Sequence, residues 1–239
     1  MVNDEKFWCS PIKDGEGKYA KCYLLTSGET LKVYKKDLFD DECYCVENLL
    51  PITGIKNRTY IFPDRLISDR SGKVLGYTAN YIRGKNLEVQ RQTMTFDKLI
   101  SGIADVYEDT RELSKKKIYT SNVSSRNIIF NKRFYIIDTD DYFKLDLLSE
   151  DSCNSHNILQ FNKAIVDYIV KNGMTNYNLI SFINQNSYLR KLYQLILREE
   201  NPETLLSNFL KELQIQISSY ADRKINNISE VDKVFVRRR

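Results

Sequence analysis

Ile118-Tyr119-Thr120-Ser121-Asn122-Val123-Ser124-Ser125-Arg126-Asn127-Ile128-Ile129, followed by Tyr135-Ile136-Ile137-Asp138-Thr139-Asp140, is the stretch whose reading decides the fold of this 239-residue chain. It contains two short β-type runs, Asn127–Phe130 and Phe134–Ile137, separated by Asn131-Lys132-Arg133. An Asn then starts one strand and an Asp ends the next, so two side-chain oxygens are placed together. Hard cations such as Mg²⁺ accept such oxygens while also binding phosphates.

Upstream, the pattern reads as strands. Tyr23–Leu25 and Thr30–Tyr34 flank the turn Thr26–Glu29, a hairpin signal. Asp40 to Leu50 has helical character and stops at Pro51. Tyr60–Phe62 and Leu75–Ile82 read as further strands, with a turn over Ser68–Lys73. Downstream of Gly84 the period changes: Thr95 caps a helix whose apolar residues Phe96, Leu99, Ile100, Ile103, Val106 and Tyr107 recur at helical spacing. Ala164–Val170 and Leu189–Leu197 are helical. Asn201-Pro202 opens a helix with Leu205, Leu206, Phe209, Leu210, Leu213, Ile217 and Tyr220 on one stripe. A strand-rich front and a helix-rich back predict an α+β chain of two lobes, residues 1–84 and 85–239, with a ligand site at their junction.

Near that junction, Gly15-x-Gly17-x-x-Ala20 leads into a strand rather than a helix. This excludes the dinucleotide-binding pattern and leaves either a phosphate-approaching loop between strands or a surface turn. Lys32, flanked by apolar strand residues, can reach a phosphate from a sheet floor, or be an exposed strand lysine. Glu47, with Glu42 as runner-up, is the helix carboxylate that could hold it.

Taken in order, the glycine-rich loop, Lys32, Glu47, the hinge-like Ala79-Asn80-Tyr81-Ile82-Arg83-Gly84, the long helix, Asn127 and Asp138 resemble the protein-kinase superfamily. Its small-molecule, bacterial and viral-type branches are included, and the likeness spans roughly residues 12 to 170. The resemblance implies a two-lobed kinase-like fold that binds ATP through Gly15, Gly17, Lys32, Asn80 and Ile82, and Mg through Asn127 and Asp138. In that family an Asp five residues before the Asn orients the substrate hydroxyl; here the position is Asn122, within Thr120-Ser121-Asn122. The Asp-Phe-Gly stretch reads Asp138-Thr139-Asp140. Between Pro63 and Pro202 there is no proline to form the peptide-substrate platform. Two readings follow from the resemblance: a pseudokinase acting through a protein partner, or an active atypical phosphotransferase on a protein or small-molecule acceptor. A third, independent of the family, is an α+β interaction module.

The net charge of +4 is dispersed, which argues against a nucleic-acid partner. No apolar run approaches the ~18–20 residues of a membrane span, and the first residues lack a signal-peptide pattern. Five irregularly spaced cysteines fit a reducing cytoplasm better than a disulfide framework. Cys43-x-Cys45 with a single histidine, His156, falls short of a zinc site.

Overall fold

Alternation of apolar and polar residues from Cys9 to Asn80 produces a five-stranded antiparallel sheet in the computed structural model, which describes residues 9–35, 49–170, 174–198 and 204–236. The strands are β1 (Cys9–Glu16), β2 (Ala20–Leu25), β3 (Glu29–Tyr34), β4 (Arg65–Ser68) and β5 (Val74–Asn80), in spatial order β1-β2-β3-β5-β4. The β2–β3 hairpin is the one expected, and Gly28 takes a left-handed φ of 83° in its turn. Tyr60–Phe62, expected as a strand, makes only an isolated parallel bridge between Tyr60 and Ile136. The sheet takes its edge strand instead from Arg65–Ser68, where the backbone can pair with β5. The expected helix around Asp40–Leu50 lies outside the described residues except at its end, where Leu50–Ile52 forms a 3₁₀ turn.

The register sets up the site. Cys22 faces Lys32 and Lys32 faces Tyr77 across β2, β3 and β5, so the three side chains share one face of the sheet. Tyr34 lies two residues beyond Lys32 and points the same way. Close approach of β3 and β5 depends on Gly76, where a Cβ would sit 2.0 Å from the Lys32 carbonyl oxygen.

Past Asn80 the chain is mainly helical: α1 (Leu87–Gln90), α2 (Phe96–Lys115), α3 (Glu150–Val170), α4 (Met174–Gln185), α5 (Ser187–Ile196), α6 (Leu205–Tyr220) and α7 (Ile228–Val236). The Thr95 hydroxyl accepts from the Lys98 amide, the cap expected for α2. Short strands β6 (Ile118–Tyr119), β7 (Ile128–Asn131), β8 (Arg133–Ile136) and β9 (Phe143–Lys144) lie between α2 and α3, and β7 and β8 form the expected hairpin. Ala164–Val170 is the end of a helix three times as long, because the polar first half of α3 carries little apolar period. Among the described residues no helix is long and apolar enough to cross a membrane.

The fully buried Asp109 on α2 joins separate parts of the chain. It accepts from Arg58 Nε at 2.9 Å, Thr59 Oγ1 at 2.7 Å and Arg133 at 2.7 Å, tying the segment before β4 and the β8 strand to the helix. A carboxylate this buried is tolerable only with such charge-assisted donors.

Candidate functional site

Lys32 is the centre of the site. Its ammonium, with only 13% of the side chain exposed, is ion-paired with Asp138 and with Asp140 at 2.8 and 3.0 Å. Two tyrosines complete the group: Tyr34 donates to Asp140 at 2.7 Å and Tyr77 donates at 3.4 Å. The ammonium also lies 5.8 and 5.6 Å from the Tyr34 and Tyr77 ring centroids, within cation–π range. Burial alone would pull the lysine's pKa down; the two carboxylates outweigh it and drive the pKa up. Asp140 mirrors this: burial raises its carboxyl, but Lys32 and the donors around it bring it below the ordinary range. Burial first, then Asp140, pushes the Tyr34 and Tyr77 hydroxyls up. The result at neutral pH is a buried Lys32 cation against the Asp140 carboxylate, flanked by two neutral phenols.

The connection after β8 delivers both carboxylates. Asp138 has a left-handed φ of 64° and Asn122 one of 50°, a conformation that Asn and Asp tolerate better than other side-chain-bearing residues. Such backbone concentrates where surrounding structure holds it in place. Here Asn157, fully buried on α3, accepts from the Thr120 amide at 2.8 Å and donates to the Ile118 carbonyl at 2.8 Å. His156 Nε2 donates to the Thr120 carbonyl at 3.0 Å. Ser121 then donates to the Asp141 carbonyl at 2.8 Å, and Thr139 to the Ile61 carbonyl at 2.9 Å. The loop with Asn122 and the turn with Asp138 are thus pinned to α3 and to each other.

Asn127 joins them through the backbone, since its carbonyl accepts from the Ile137 amide at 2.9 Å. Its side-chain nitrogen donates to the Asn122 carbonyl at 3.4 Å, which leaves its amide oxygen as the remaining acceptor. Asn122, Asn127 and Asp138 all line a cleft of about 930 Å³, together with Arg126, Asp167 and Tyr168 among others. Of the expected residues, Lys32, Asp138, Asn127 and Asn122 are therefore brought together. Gly17 lies in the β1–β2 turn and Gly15 at the end of β1, neither with a left-handed φ. A Cβ on Gly15 would come within 3.2 Å of the Cys22 Cβ, next to the Lys32 face. Asn80 ends β5 opposite Glu29, and Ile82 follows it, half-buried. Glu47 and Glu42 lie outside the described residues.

Sequence reading did not single out Tyr34, Tyr77 and Asp140 as site residues, nor Asp141. Strand alternation from Lys32 could have found Tyr34, and the doubled Asp140-Asp141 was a visible signal. Asp141 is pushed up to about 6 by burial and then by the neighbouring Asp140 and Asp138 charges, with Ser121 and Asn122 offsetting part of the rise. Its Oδ1 is buried without a hydrogen-bond partner. The fold binds this proton more tightly than the unfolded chain does. The group's contribution to stability is thus present below its ordinary value of 3.8 and lost as pH rises through about 6. Asp141→Asn, in chelator-treated buffer, is expected to melt above wild type at pH 7.5 and to match it near pH 4. A gap that does not vary with pH would contradict this.

Comparison with protein-family models gives no match, and comparison with curated proteins gives none either.

Proposed function

We propose that this chain is a protein-kinase-like, ATP-binding domain with a degenerate catalytic loop, a pseudokinase or slow kinase that acts through a protein partner. In this reading residues 1–84 are a β-rich lobe, residues 85–239 a mainly helical lobe, and nucleotide would lie where Lys32 of the first meets Asp138 of the second. The observation that carries it is the meeting of Lys32 from the sheet with Asp138 from the turn after β8, at a cleft also lined by Asn122 and Asn127.

The residues fit Mg-ATP by donor chemistry. Asp138 is 41% exposed and Asn127 keeps an amide oxygen available, two hard oxygen donors for Mg²⁺. Among the described residues no three His, Cys, Asp or Glu side chains converge on an ion position. A cation here would draw its other ligands from phosphate and water, as Mg²⁺ commonly does. Lys32 would meet a phosphate, the Gly15–Gly17 backbone would approach it, and Asn80 and Ile82 would border the base. Bound Mg-ATP supplies the transferable phosphoryl group with its charge partly neutralised. Asn122 can orient a hydroxyl but accepts a proton poorly, which is why slow or absent transfer is the first reading. An active atypical phosphotransferase is the second, favoured by the intact Lys32–Asp138 pairing, because phosphoryl transfer depends chiefly on positioning and charge.

A melting experiment tests the shared claim. With nucleotide at about 100 times its dissociation constant, Mg-ATP is expected to stabilise the fold by about 2.7 kcal/mol. For a domain of this size that is a shift of roughly 5–10 °C. Asp138→Ala should lose the magnesium-dependent part. Absence of a shift with any purine nucleotide at millimolar concentration, with or without metal, would leave the interaction-module reading.

A further inference from the structure

Asp138 and Asp140 both pair with Lys32, yet they are different kinds of partner. Asp138 is 41% exposed at the cleft, whereas Asp140 is 4% exposed and sealed beneath the sheet. Asp140 also receives Tyr34 at 2.7 Å and Tyr77 at 3.4 Å, so its two oxygens are fixed by donors from β3 and β5. Removing Asp140 from this arrangement would take away the ammonium's buried partner and the shared acceptor of the two tyrosine hydroxyls. Turning Asp138 toward the cleft exposes an already solvated carboxylate and leaves Lys32 with two contacts to Asp140.

A cation-binding role for Asp138 creates a conflict that Asp140 resolves. An ammonium paired to a carboxylate competes with any cation for the same oxygens. If Lys32 had Asp138 alone, loading a cation there would free the lysine to swing away from the phosphate position. Resting on the reading above, we propose that Asp140, oriented by Tyr34 and Tyr77, is the positioning residue that holds Lys32 in place, so that Asp138 can turn to a divalent cation without the lysine losing its anchor. Lys32 is then held by groups from the sheet and the turn after β8, and Glu47 is not required for it.

The test reads Lys32 directly, without nucleotide or metal. Brief acetylation with acetic anhydride across pH 8–11, followed by peptide mass spectrometry, gives the labelling of Lys32 relative to Lys35, which controls for general loosening of the sheet. In the wild type Lys32 should label far more slowly than Lys35. In Asp140→Asn the relative labelling should rise sharply, because the ammonium then keeps only the solvent-exposed Asp138 as a charged partner. Glu47→Gln should leave the ratio unchanged, and the Glu47→Gln/Asp138→Asn double variant, which retains the buried Asp140, should raise it far less than Asp140→Asn does. Should Asp140→Asn fail to fold, the double variant decides, with Glu47→Gln alone in reserve. Loss of Lys32 protection in either of those, or continued protection in a folded Asp140→Asn, would overturn the proposal. Because no nucleotide is used, this outcome is separate from that of the Mg-ATP melting experiment. A protein with an Asp140-anchored lysine and no nucleotide shift would keep the anchor and lose the kinase reading.

Discussion

Leu210→Ala is expected to destabilise the protein by about 2–5 kcal/mol, independent of protein concentration. Leu210 is fully buried on α6, together with Leu206, Phe209, Leu213 and Ile217. That stripe packs against α5 and α2, with the Phe209 ring 6.1 Å from Tyr193 on α5. Burial of the stripe within one chain makes it core rather than a contact between copies. Truncation to alanine removes methyl groups from contacts that the neighbouring helices cannot close over, leaving a cavity. Domains are stable by only about 5–15 kcal/mol, so the loss is a large share of the total. Leu210→Asp should not fold at all, since its carboxylate would have no partner in that core. Denaturant titration at two protein concentrations, with light scattering, checks both variants. A folded Leu210→Asp monomer smaller than wild type would mean that the stripe is an interface.

The parts of this chain that were legible in its sequence are those where local pattern and tertiary need agree. The Thr95 cap, the β2–β3 hairpin and the β7–β8 hairpin follow from residues that satisfy their own backbone or alternate faces. The α6 stripe was legible for the same reason, although Tyr220 at its end is 39% exposed and stacks on Phe235 of α7 instead of entering the core. Tyr60–Phe62 was misread because its β-branched and aromatic residues suit any buried extended backbone; among the described residues it pairs as a single bridge with Ile136. Arg65–Ser68 was missed as a strand because its edge position asks little of its side chains. In the site, order along the chain suggested Lys32, Asn127 and Asp138. The buried partner Asp140 and its two tyrosines depend on strand register over 63 to 108 residues of separation, which no local pattern encodes.

Asn122→Asp is expected to raise ATP hydrolysis or self-phosphorylation by as much as 10²–10⁴-fold, the usual worth of a general base. The position is prepared for it. Asn122 is exposed at the cleft, and its φ of 50° suits Asp as well as Asn, so the loop need not move. Its contact with Asn127 is made by the backbone carbonyl, which the substitution keeps, while the side-chain hydrogen bond to Asp141 is lost. The opposing effect is electrostatic: a further carboxylate beside Asp141, on the cleft that Asp138 also lines, adds like charge. That repulsion raises the carboxyl pKa and disfavours bound phosphate, so the gain should be largest at saturating magnesium and above neutral pH. Lys32→Ala in the same background should suppress the rate, because the base is useful only if the phosphate is positioned. Transfer and hydrolysis of radiolabelled ATP measure both. If the wild type already turns over within the ordinary kinase range of about 1–100 s⁻¹ and Asn122→Asp slows it, the amide is itself a working group. The pseudokinase reading then gives way to the active phosphotransferase, because an added carboxylate that hinders a competent site means the site runs on positioning and charge.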